Sequence, residues 1–163
     1  MQMQNPQKQL PKISEKAWIS ETAIIIGNVH IGDNVFVAHN AIIRADEPGS
    51  SIIIGNGCNV QDNVIIHALS HSQVLINPDT SLAHGCIVHG PCQIGEGCFI
   101  GFGSVVFDCN IGKDSLINHN ATVHGVDIPN GKVVPSGKTI TEKENIENLE
   151  NITKNLADFK ISV

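Results

Sequence analysis

Large aromatic side chains are scarce in this sequence, which has five Phe, one Trp and no Tyr among its 163 residues. A core of ordinary composition relies on more large rings than this. The sequence is instead rich in Ile and Val and contains 15 Gly, a composition that indicates many short strands joined by tight turns. The chain is long enough for one domain with a sizeable core.

Other features are missing as well. The net charge is −6 and no basic run exceeds two residues, so we expect no nucleic-acid partner. The N-terminus lacks the apolar stretch of an export signal, and no segment approaches the ~20 apolar residues of a membrane span. The five cysteines form no CxxC pair, which fits a reducing compartment. We therefore expect a cytoplasmic protein that has no membrane partner.

An aliphatic residue recurs at every sixth position over most of the chain. The longest unbroken series begins at Ile76 and ends at Val106. The register is interrupted in four places, including 46–51 and 70–75. A small residue follows most of these aliphatic residues by four positions, as the corners of a narrow triangular coil require. This hexapeptide repeat predicts an all-β solenoid, a parallel β-helix of about six turns; the period leaves its handedness open.

The spacing changes near the C-terminus. Five apolar residues there lie three and four positions apart: Ile146, Leu149, Ile152, Leu156 and Phe159. This spacing predicts an amphipathic helix, which a capping box of Thr141 and Glu144 would begin. We therefore divide the chain into an N-terminal extension at 1–14, a β-helix domain at 15–138, and a C-terminal helix at 139–163 that packs on the β-helix as part of the same domain.

The repeat also predicts two vertical columns of side chains. If 46–51 and 70–75 are loops that bulge from the coil, equivalent slots in successive turns stack about 4.8 Å apart. The first column points outward, one residue after the inward aliphatic of each turn: Arg44, His67, His89, Phe107 and His124. The second column lies at the preceding corner: His39, Asp62, His84, Phe102 and His119.

These columns predict a metal site that one chain cannot complete. His67 and His89 are vertical neighbours, whereas His84 lies five residues before His89, or about 16 Å away at ~3.3 Å per residue. Two imidazoles on one zinc cannot hold their Cα atoms much more than ~13 Å apart. A three-fold trimer sets the start of one strand beside the end of its neighbour's. We therefore expect His67 and His89 of one chain to share a metal with His84 of the next.

Five separated motifs resemble the γ-class carbonic anhydrases in order and spacing: RADE (44–47), NVQDNVIIHAL (59–69), SLAHGCIVHGP (81–91), IGEGCFIGFGSVVF (94–107) and IPNGKVVPSG (128–137). The resemblance covers about residues 15–140 and is strongest with the branch that contains the archaeal prototype enzyme and the N-terminal domain of a carboxysomal protein. It implies a left-handed β-helix, a homotrimer, and Zn2+ (with Fe2+ or Co2+ as alternatives) on His67, His84 and His89.

The resemblance also implies roles for single residues. Gln61 corresponds to the glutamine that hydrogen-bonds the metal-bound solvent, and Asn59 to its supporting asparagine. Glu47 corresponds to the glutamate near the metal that is credited with proton transfer. Phe102 and Phe107 fall where apolar residues wall the CO2 pocket.

Arg44 is the only arginine beside nine lysines. Its planar guanidinium can form a bidentate pair with a carboxylate, and Asp46 and Asp62 are the candidates. The resemblance likewise implies intersubunit ion pairs from these three residues. The sequence departs from the family at Ser70, where the prototype has an outer proton-shuttle glutamate. A histidine titrates near neutral pH, so His71 is a possible replacement shuttle.

Together these features predict a lyase that reversibly hydrates CO2 to bicarbonate by metal-bound hydroxide at a trimer interface. Three neutral histidines leave the metal a dication with an open position, which lowers the pKa of bound water to about 7, as in carbonic anhydrases generally. Three alternatives stay open. They are a catalytically weak scaffold or assembly protein of this family, a hexapeptide-repeat acyltransferase, and a thioesterase.

Overall fold

The computed structural model describes residues 1–155 and folds them into a parallel β-solenoid of about seven turns with almost no helix. No helix in this part of the chain is long and apolar enough to cross a membrane. A single 3₁₀ turn, η1 (Lys143–Asn145), precedes the last strand. In chain order the strands are β1 (Gln2–Met3), β2 (Lys12–Ile13), β3 (Trp18–Ile19), β4 (Ile24–Gly27), β5 (Val29–Ile31), β6 (Phe36–Val37), β7 (Ile42–Ala45), β8 (Ser51–Ile54), β9 (Asn59–Val60), β10 (Ile65–His67), β11 (Gln73–Ile76), β12 (Ser81–Leu82), β13 (Ile87–Ile94), β14 (Phe99–Ile100), β15 (Val105–Ile111), β16 (Leu116–Ile117), β17 (Thr122–His124), β18 (Lys132–Val134), β19 (Thr139–Ile140) and β20 (Glu150–Asn151).

Three parallel ladders form the three faces of the coil. The first face contains β1, β4, β7, β10, the first halves of β13 and β15, then β17 and β19. The second contains β2, β5, β8, β11 and the second halves of β13 and β15. The third contains β3, β6, β9, β12, β14, β16 and β18, and β20 pairs antiparallel with β18 at its end. The predicted all-β solenoid is confirmed, and the ladders are consistent with the left-handed β-helix that the resemblance implies.

The aliphatic positions of the repeat form the core. On the first face Ile25, Ile43, Ile66 and Val88 pair in register and are completely buried. Successive side chains of a strand point to opposite sides, so the residue after each of these points outward. Burying one such side chain is worth about 1.5–3 kcal/mol, and the repetition of this burial in every turn holds the coil together.

Two loops interrupt the coil where the periodicity breaks. Residues 46–50 separate β7 from β8, and residues 68–72 separate β10 from β11. The second loop is shorter than the predicted 70–75, because β11 already begins at Gln73 and points Val74 into the core. Both loops lie at the same corner of the coil, one turn apart, and they leave the register of the first face unchanged.

The N-terminal residues 1–14 are part of the coil and not the extension that we predicted. Gln2 pairs with Ile25, and Lys12 pairs with His30 one turn higher. The buried side chain of Asn5 donates a hydrogen bond to the carbonyl oxygen of Ala45 at 3.2 Å. The prediction was wrong because residues 1–12 contain no Ile or Val and so carry no aliphatic repeat. This added turn explains why there are about seven turns where six were predicted.

The predicted C-terminal helix is also absent from its described part. Residues 139–155 instead form β19, the 3₁₀ turn and the antiparallel strand β20, and helical conformation begins only at 154–155. The 3₁₀ turn follows Glu142 and has no side-chain cap. Leu149 is buried and Ile146 packs against the core, so their spacing reflects the packing of an irregular segment. Leu156 and Phe159 lie outside the described residues.

The alternation of inward and outward side chains along β8 can be tested with substitutions at two neighbouring residues. Ile52 is completely buried, whereas Ile53 is 38% exposed. We expect Ile52→Ala to lower the free energy of unfolding by about 2–5 kcal/mol, because it leaves a cavity in the core. The matched Ile53→Ala should cost below about 1 kcal/mol. Urea denaturation measures both, and equal losses would contradict the assignment of inward and outward faces.

Candidate metal centre

The first predicted column is confirmed by the strand register. Arg44 pairs with His67 and His67 pairs with His89. His89 in turn pairs with Phe107, which pairs with His124. Each of these residues follows a buried aliphatic residue, so the first face carries one outward ladder in which two histidines are direct neighbours.

The second predicted column is formed at the corner before the first face. The backbone N–H of His39 donates to Asp62 Oδ1 at 3.1 Å, one turn above. Higher in the column, His84 stacks on Phe102 with ring centroids 5.5 Å apart, and Phe102 stacks on His119 at 4.4 Å. The corner residues therefore lie directly above one another, as the repeat predicted.

His67 and His89 are in direct contact. Their rings meet edge to face with centroids 4.9 Å apart, and His67 Nδ1 lies 3.1 Å from His89 Nε2. His89 Nδ1 lies 3.2 Å from the carbonyl oxygen of Gly90. A carbonyl can only accept a hydrogen bond, so the neutral His89 ring carries its proton on Nδ1. Its Nε2 therefore keeps a lone pair, which is the form that a metal requires.

The environment of His67 favours a bound cation. Burial lowers the pKa of His67, the Arg44 guanidinium and His89 lower it further, and the carboxylates of Glu47 and Asp46 oppose the shift. His67 Nε2 is buried and makes no hydrogen bond, although Glu47 Oε1 lies 3.3 Å away and Asp46 Oδ1 3.7 Å away. A buried lone pair beside two carboxylate oxygens is costly unless a positive charge lies among them. These residues therefore fit a metal ion.

His84, in the second column, contacts a carboxylate through one of its ring nitrogens. Its Nδ1 makes an ion-pair contact of 3.1 Å with Asp62 Oδ2, an oxygen that has no proton to donate. The proton is therefore on Nδ1, and Nε2 has the free lone pair. A carboxylate behind the second ring nitrogen is a common feature of metal-binding histidines. The backbone N–H of His84 also donates to the buried side chain of Gln61, with Oε1 at 3.3 Å.

His119 occupies the same column as His84 but has the opposite proton placement. Its Nδ1 accepts a hydrogen bond of 3.1 Å from the backbone N–H of Phe102. The neutral ring therefore carries its proton on Nε2, which leaves no lone pair there for a metal. His124 is exposed and stacks on Phe107 with centroids 4.7 Å apart. The contacts of His119 favour a role other than metal binding.

One chain does not bring the three predicted ligands together. Among residues 1–155, no three side chains of metal-binding type are placed so that they could hold one ion. The predicted trio is split into the pair His67 and His89 on the first face and His84 at the corner. A site that uses all three therefore needs a second copy of the chain.

The predicted ion pairs are formed in part. Arg44 Nε donates to Asp46 Oδ1 at 2.9 Å within the same chain. The Arg44 side chain is 42% exposed, so this pair contributes about 0–1 kcal/mol at most to a single chain. Asp62, the other candidate partner, contacts His84 instead. A pair between Arg44 and Asp62 of different chains stays a prediction.

Glu47 is held beside His67 by the loop at 68–72. Its Oε2 accepts a hydrogen bond of 2.7 Å from the backbone N–H of Ser70, and its Oε1 lies 3.3 Å from His67 Nε2. Ser70 Oγ donates to the carbonyl oxygen of Pro48 at 3.1 Å. Sequence analysis identified Glu47 but missed Ser70 as its partner. The donor is a backbone group, which no side-chain pattern could have revealed.

The remaining predicted residues lie at the edges of this region. Phe107 meets His89 edge to face with centroids 4.9 Å apart. Asn59 lies in β9, two residues before Gln61. The backbone N–H of His71 donates to the carbonyl oxygen of Pro48 at 2.8 Å. The His71 ring packs against Gly49 and lines a shallow groove of the second face with Pro91 and Asp108.

Comparison with known proteins agrees with the repeat. The family described as "Bacterial transferase hexapeptide (six repeats)" matches residues 11–45 and 73–107. A hexapeptide transferase family protein from Anaplasma phagocytophilum superposes with a TM-score of 0.84 at 23% identity, over 99% of this chain and 90% of that chain. At this identity the likeness shows the fold alone.

Two other proteins are more similar in sequence. The carboxysome assembly protein CcmM of Nostoc sp. is 37% identical over 128 residues, which cover 72% of this chain and 23% of that protein. The carbonic anhydrase of Methanosarcina thermophila is 36% identical over 145 residues, which cover 77% of this chain and 58% of that enzyme. The chain therefore spans less than two thirds of the length of either relative.

The lowered pKa of His67 can be measured directly. We expect His67 in the metal-free protein to titrate below the ordinary histidine value of about 6.5, because burial and Arg44 disfavour its charged form. The stability that this shift contributes is fully present above about pH 6.5 and is lost as the pH falls toward the lowered pKa. Arg44→Gln should raise the pKa of His67 by removing a nearby cation. Proton NMR titration checks both, and a wild-type pKa at or above 6.5 would contradict the expectation.

Proposed function

Because the chain belongs to the hexapeptide-repeat family and its homologues include a γ-class carbonic anhydrase, we propose that it hydrates CO2 reversibly to bicarbonate at a metal site between the subunits of a homotrimer. The observation that carries the proposal is the proton placement on the histidines. In the neutral rings, the oxygen beside Nδ1 of His84 and of His89 favours the proton on Nδ1, which leaves a lone pair on each Nε2. The Nε2 of His89 faces His67 Nδ1 at 3.1 Å, and His67 has a buried Nε2 without a hydrogen bond. Three such nitrogens suit one divalent ion.

The positions of these ligands support the proposed homotrimer. His67 and His89 share the outward ladder of the first face, and His84 lies at the corner before it. A heterologous interface brings a different patch of each chain against its neighbour and can close into a ring. In a three-fold arrangement the corner column of one chain can face the outward ladder of the next. Each trimer would then hold three equivalent sites.

When bound, the metal supplies a Lewis acid that makes a coordinated water acidic near neutral pH. We assign the metal as zinc, with ferrous iron or cobalt as alternatives. Phe102 and Phe107 give the site apolar walls that suit the uncharged CO2 molecule and exclude bulk water. Gln61 is fixed by its hydrogen bond from the His84 backbone, so its amide can orient solvent at the site. Asn59 would support Gln61 from β9.

Glu47 takes the proton that the reaction releases. Hydration consumes CO2 and one water and yields bicarbonate and one proton, so each turnover must export a proton. Glu47 lies beside His67 and is held in place by the Ser70 backbone. From Glu47 the proton passes to buffer, with His71 as a candidate relay on the neighbouring loop.

A second candidate function is a scaffold or assembly role with weak catalysis. It is favoured by the 37% identity to the carboxysome assembly protein, of which the chain covers 23%. An acyltransferase fits less well, because the loops at 46–50 and 68–72 have only five residues each and are too short to enclose an acyl-CoA. A thioesterase would use the same metal site and differs only in substrate.

Mixed trimers test the shared site. His67→Ala and His84→Ala chains should each bind no metal alone, because every interface then lacks one ligand. When the two variants are co-assembled in equal amounts, about one in four interfaces should place His67 and His89 of a His84→Ala chain beside His84 of a His67→Ala chain. These interfaces should regain metal and CO2 hydration. Metal analysis and stopped-flow hydration measure the recovery.

Three outcomes of that experiment are informative. No recovery in the mixture would contradict a site shared between chains. Metal uptake by the wild type without CO2 hydration would favour the scaffold function. Wild-type protein that remains monomeric and still binds one metal per chain would contradict the trimer.

The role of Glu47 can be tested by removing its basicity. Glu47→Gln keeps an acceptor for the Ser70 backbone but cannot take a proton, and we expect turnover at low buffer to fall by about 10²-fold. Added small buffers should restore part of the rate. Ser70→Ala is the matched control, because it keeps the backbone donor to Glu47 and should leave turnover nearly unchanged. Wild-type turnover of Glu47→Gln at low buffer would exclude this role.

A further inference from the structure

Asp62 contacts His84 in a way that the sequence did not indicate. We propose that Asp62 is a positioning residue that fixes the His84 ring with Nδ1 protonated, so that Nε2 is presented to the neighbouring subunit. This inference rests on the proposed function. It differs from the expected role of Asp62, which was to pair with Arg44 across the interface.

Both carboxylate oxygens of Asp62 are engaged. Oδ2 lies 3.1 Å from His84 Nδ1, and Oδ1 accepts the backbone N–H of His39 at 3.1 Å. The carboxylate cannot rotate away without losing either the hydrogen bond from His39 or the ion-pair contact with His84. His39 is itself held from the turn below, since its Nδ1 lies 2.7 Å from Ser20 Oγ. Asp62 therefore connects His84 to a fixed point in the lower turns of the coil.

The other contacts of His84 do not determine which ring nitrogen carries the proton, so Asp62 determines it. The imidazole stacks on Phe102 with the two planes 21° apart, which restrains the plane of the ring. Gln61 Oε1 accepts the backbone N–H of His84, which restrains the main chain. Neither contact distinguishes Nδ1 from Nε2, because Phe102 has no polar atom and Gln61 touches only the backbone.

The same column contains an internal comparison. His119 occupies the corner slot two turns above His84, but Phe102 and not a carboxylate lies directly below it. The Phe102 backbone N–H then donates to His119 Nδ1, and the ring takes the opposite proton placement. The residue one turn below therefore decides which nitrogen of a corner histidine carries the proton. Asp62 selects the ligand form at His84.

Asp62→Asn tests this role. Asparagine has one acceptor oxygen for two donors, the His39 backbone N–H and His84 Nδ1–H. We expect ¹⁵N NMR of the metal-free protein to detect loss of the Nδ1-protonated form of His84, and cobalt titration of the trimer to give a 10–100-fold weaker affinity. Asp62→Glu, which restores a carboxylate, should recover part of both.

Asp127→Asn is the matched control. Asp127 also accepts a backbone N–H from the turn below, that of Asn110 at 2.8 Å, but it contacts no histidine in the described part of the chain. The control therefore removes a comparable charge beside a comparable backbone hydrogen bond, which the asparagine oxygen can still accept. We expect it to change neither the proton placement on His84 nor the cobalt affinity.

Several results would overturn the inference. One is a wild-type His84 protonated on Nε2 in the metal-free protein, which needs no variant to detect. Another is an Asp62→Asn trimer with wild-type cobalt affinity. A third is an Asp62→Asn protein that dissociates while His84 keeps its proton placement, which would make Asp62 an assembly residue. A fourth result would separate the inference from the proposed function. If the wild type binds cobalt but hydrates no CO2, and Asp62→Asn still binds cobalt more weakly, the positioning role is supported and only the proposed reaction is contradicted.

Discussion

In-register pairing of parallel strands is the constraint on which this structure depends. Each turn stacks directly on the one below at about 4.8 Å, the spacing of hydrogen-bonded strands. A residue type that is repeated at one slot therefore becomes a continuous vertical column. The inward slots are filled by Ile, Val and small residues. The histidines and carboxylates of the candidate site therefore lie in the outward columns. In the proposed trimer, the candidate metal ligands of these columns would face other copies of the chain.

The six-residue period predicted the middle of the coil well and its two ends poorly. Between β4 and β17 each turn contains a buried aliphatic residue that sets the direction of its neighbours, so Arg44, His67 and His89 could be placed in one ladder. Residues 1–12 contain no Ile or Val, so this turn of the coil carries no aliphatic period. After Ile140 the chain turns back and pairs antiparallel, and its three- and four-residue spacing was wrongly interpreted as a helix.

The predicted site was correct in which residues stack and incomplete in how they are held. Stacking depends on backbone register, which the sequence encodes through burial. Proton placement depends on the nearest donor or acceptor, such as the Gly90 carbonyl oxygen behind His89 or the Asp62 carboxylate behind His84. Side-chain rotation decides these contacts, so no periodicity could have revealed them. The hydrogen bond from the Ser70 backbone N–H to Glu47 is another contact that the periodicity could not have revealed.

Dividing the ligands between chains would couple metal binding to assembly. A single chain leaves His67 with a buried nitrogen that lacks a hydrogen bond and faces two carboxylates, which is unfavourable until a cation arrives. It also leaves the His84 side chain 54% exposed. If one ion binds His67 of one chain and His84 of the next, trimer formation raises the affinity for the metal. The metal then raises the affinity between the subunits by the same factor. In the proposed arrangement, the incomplete ligand set of each chain therefore favours both binding of the ion and association with the neighbouring subunit.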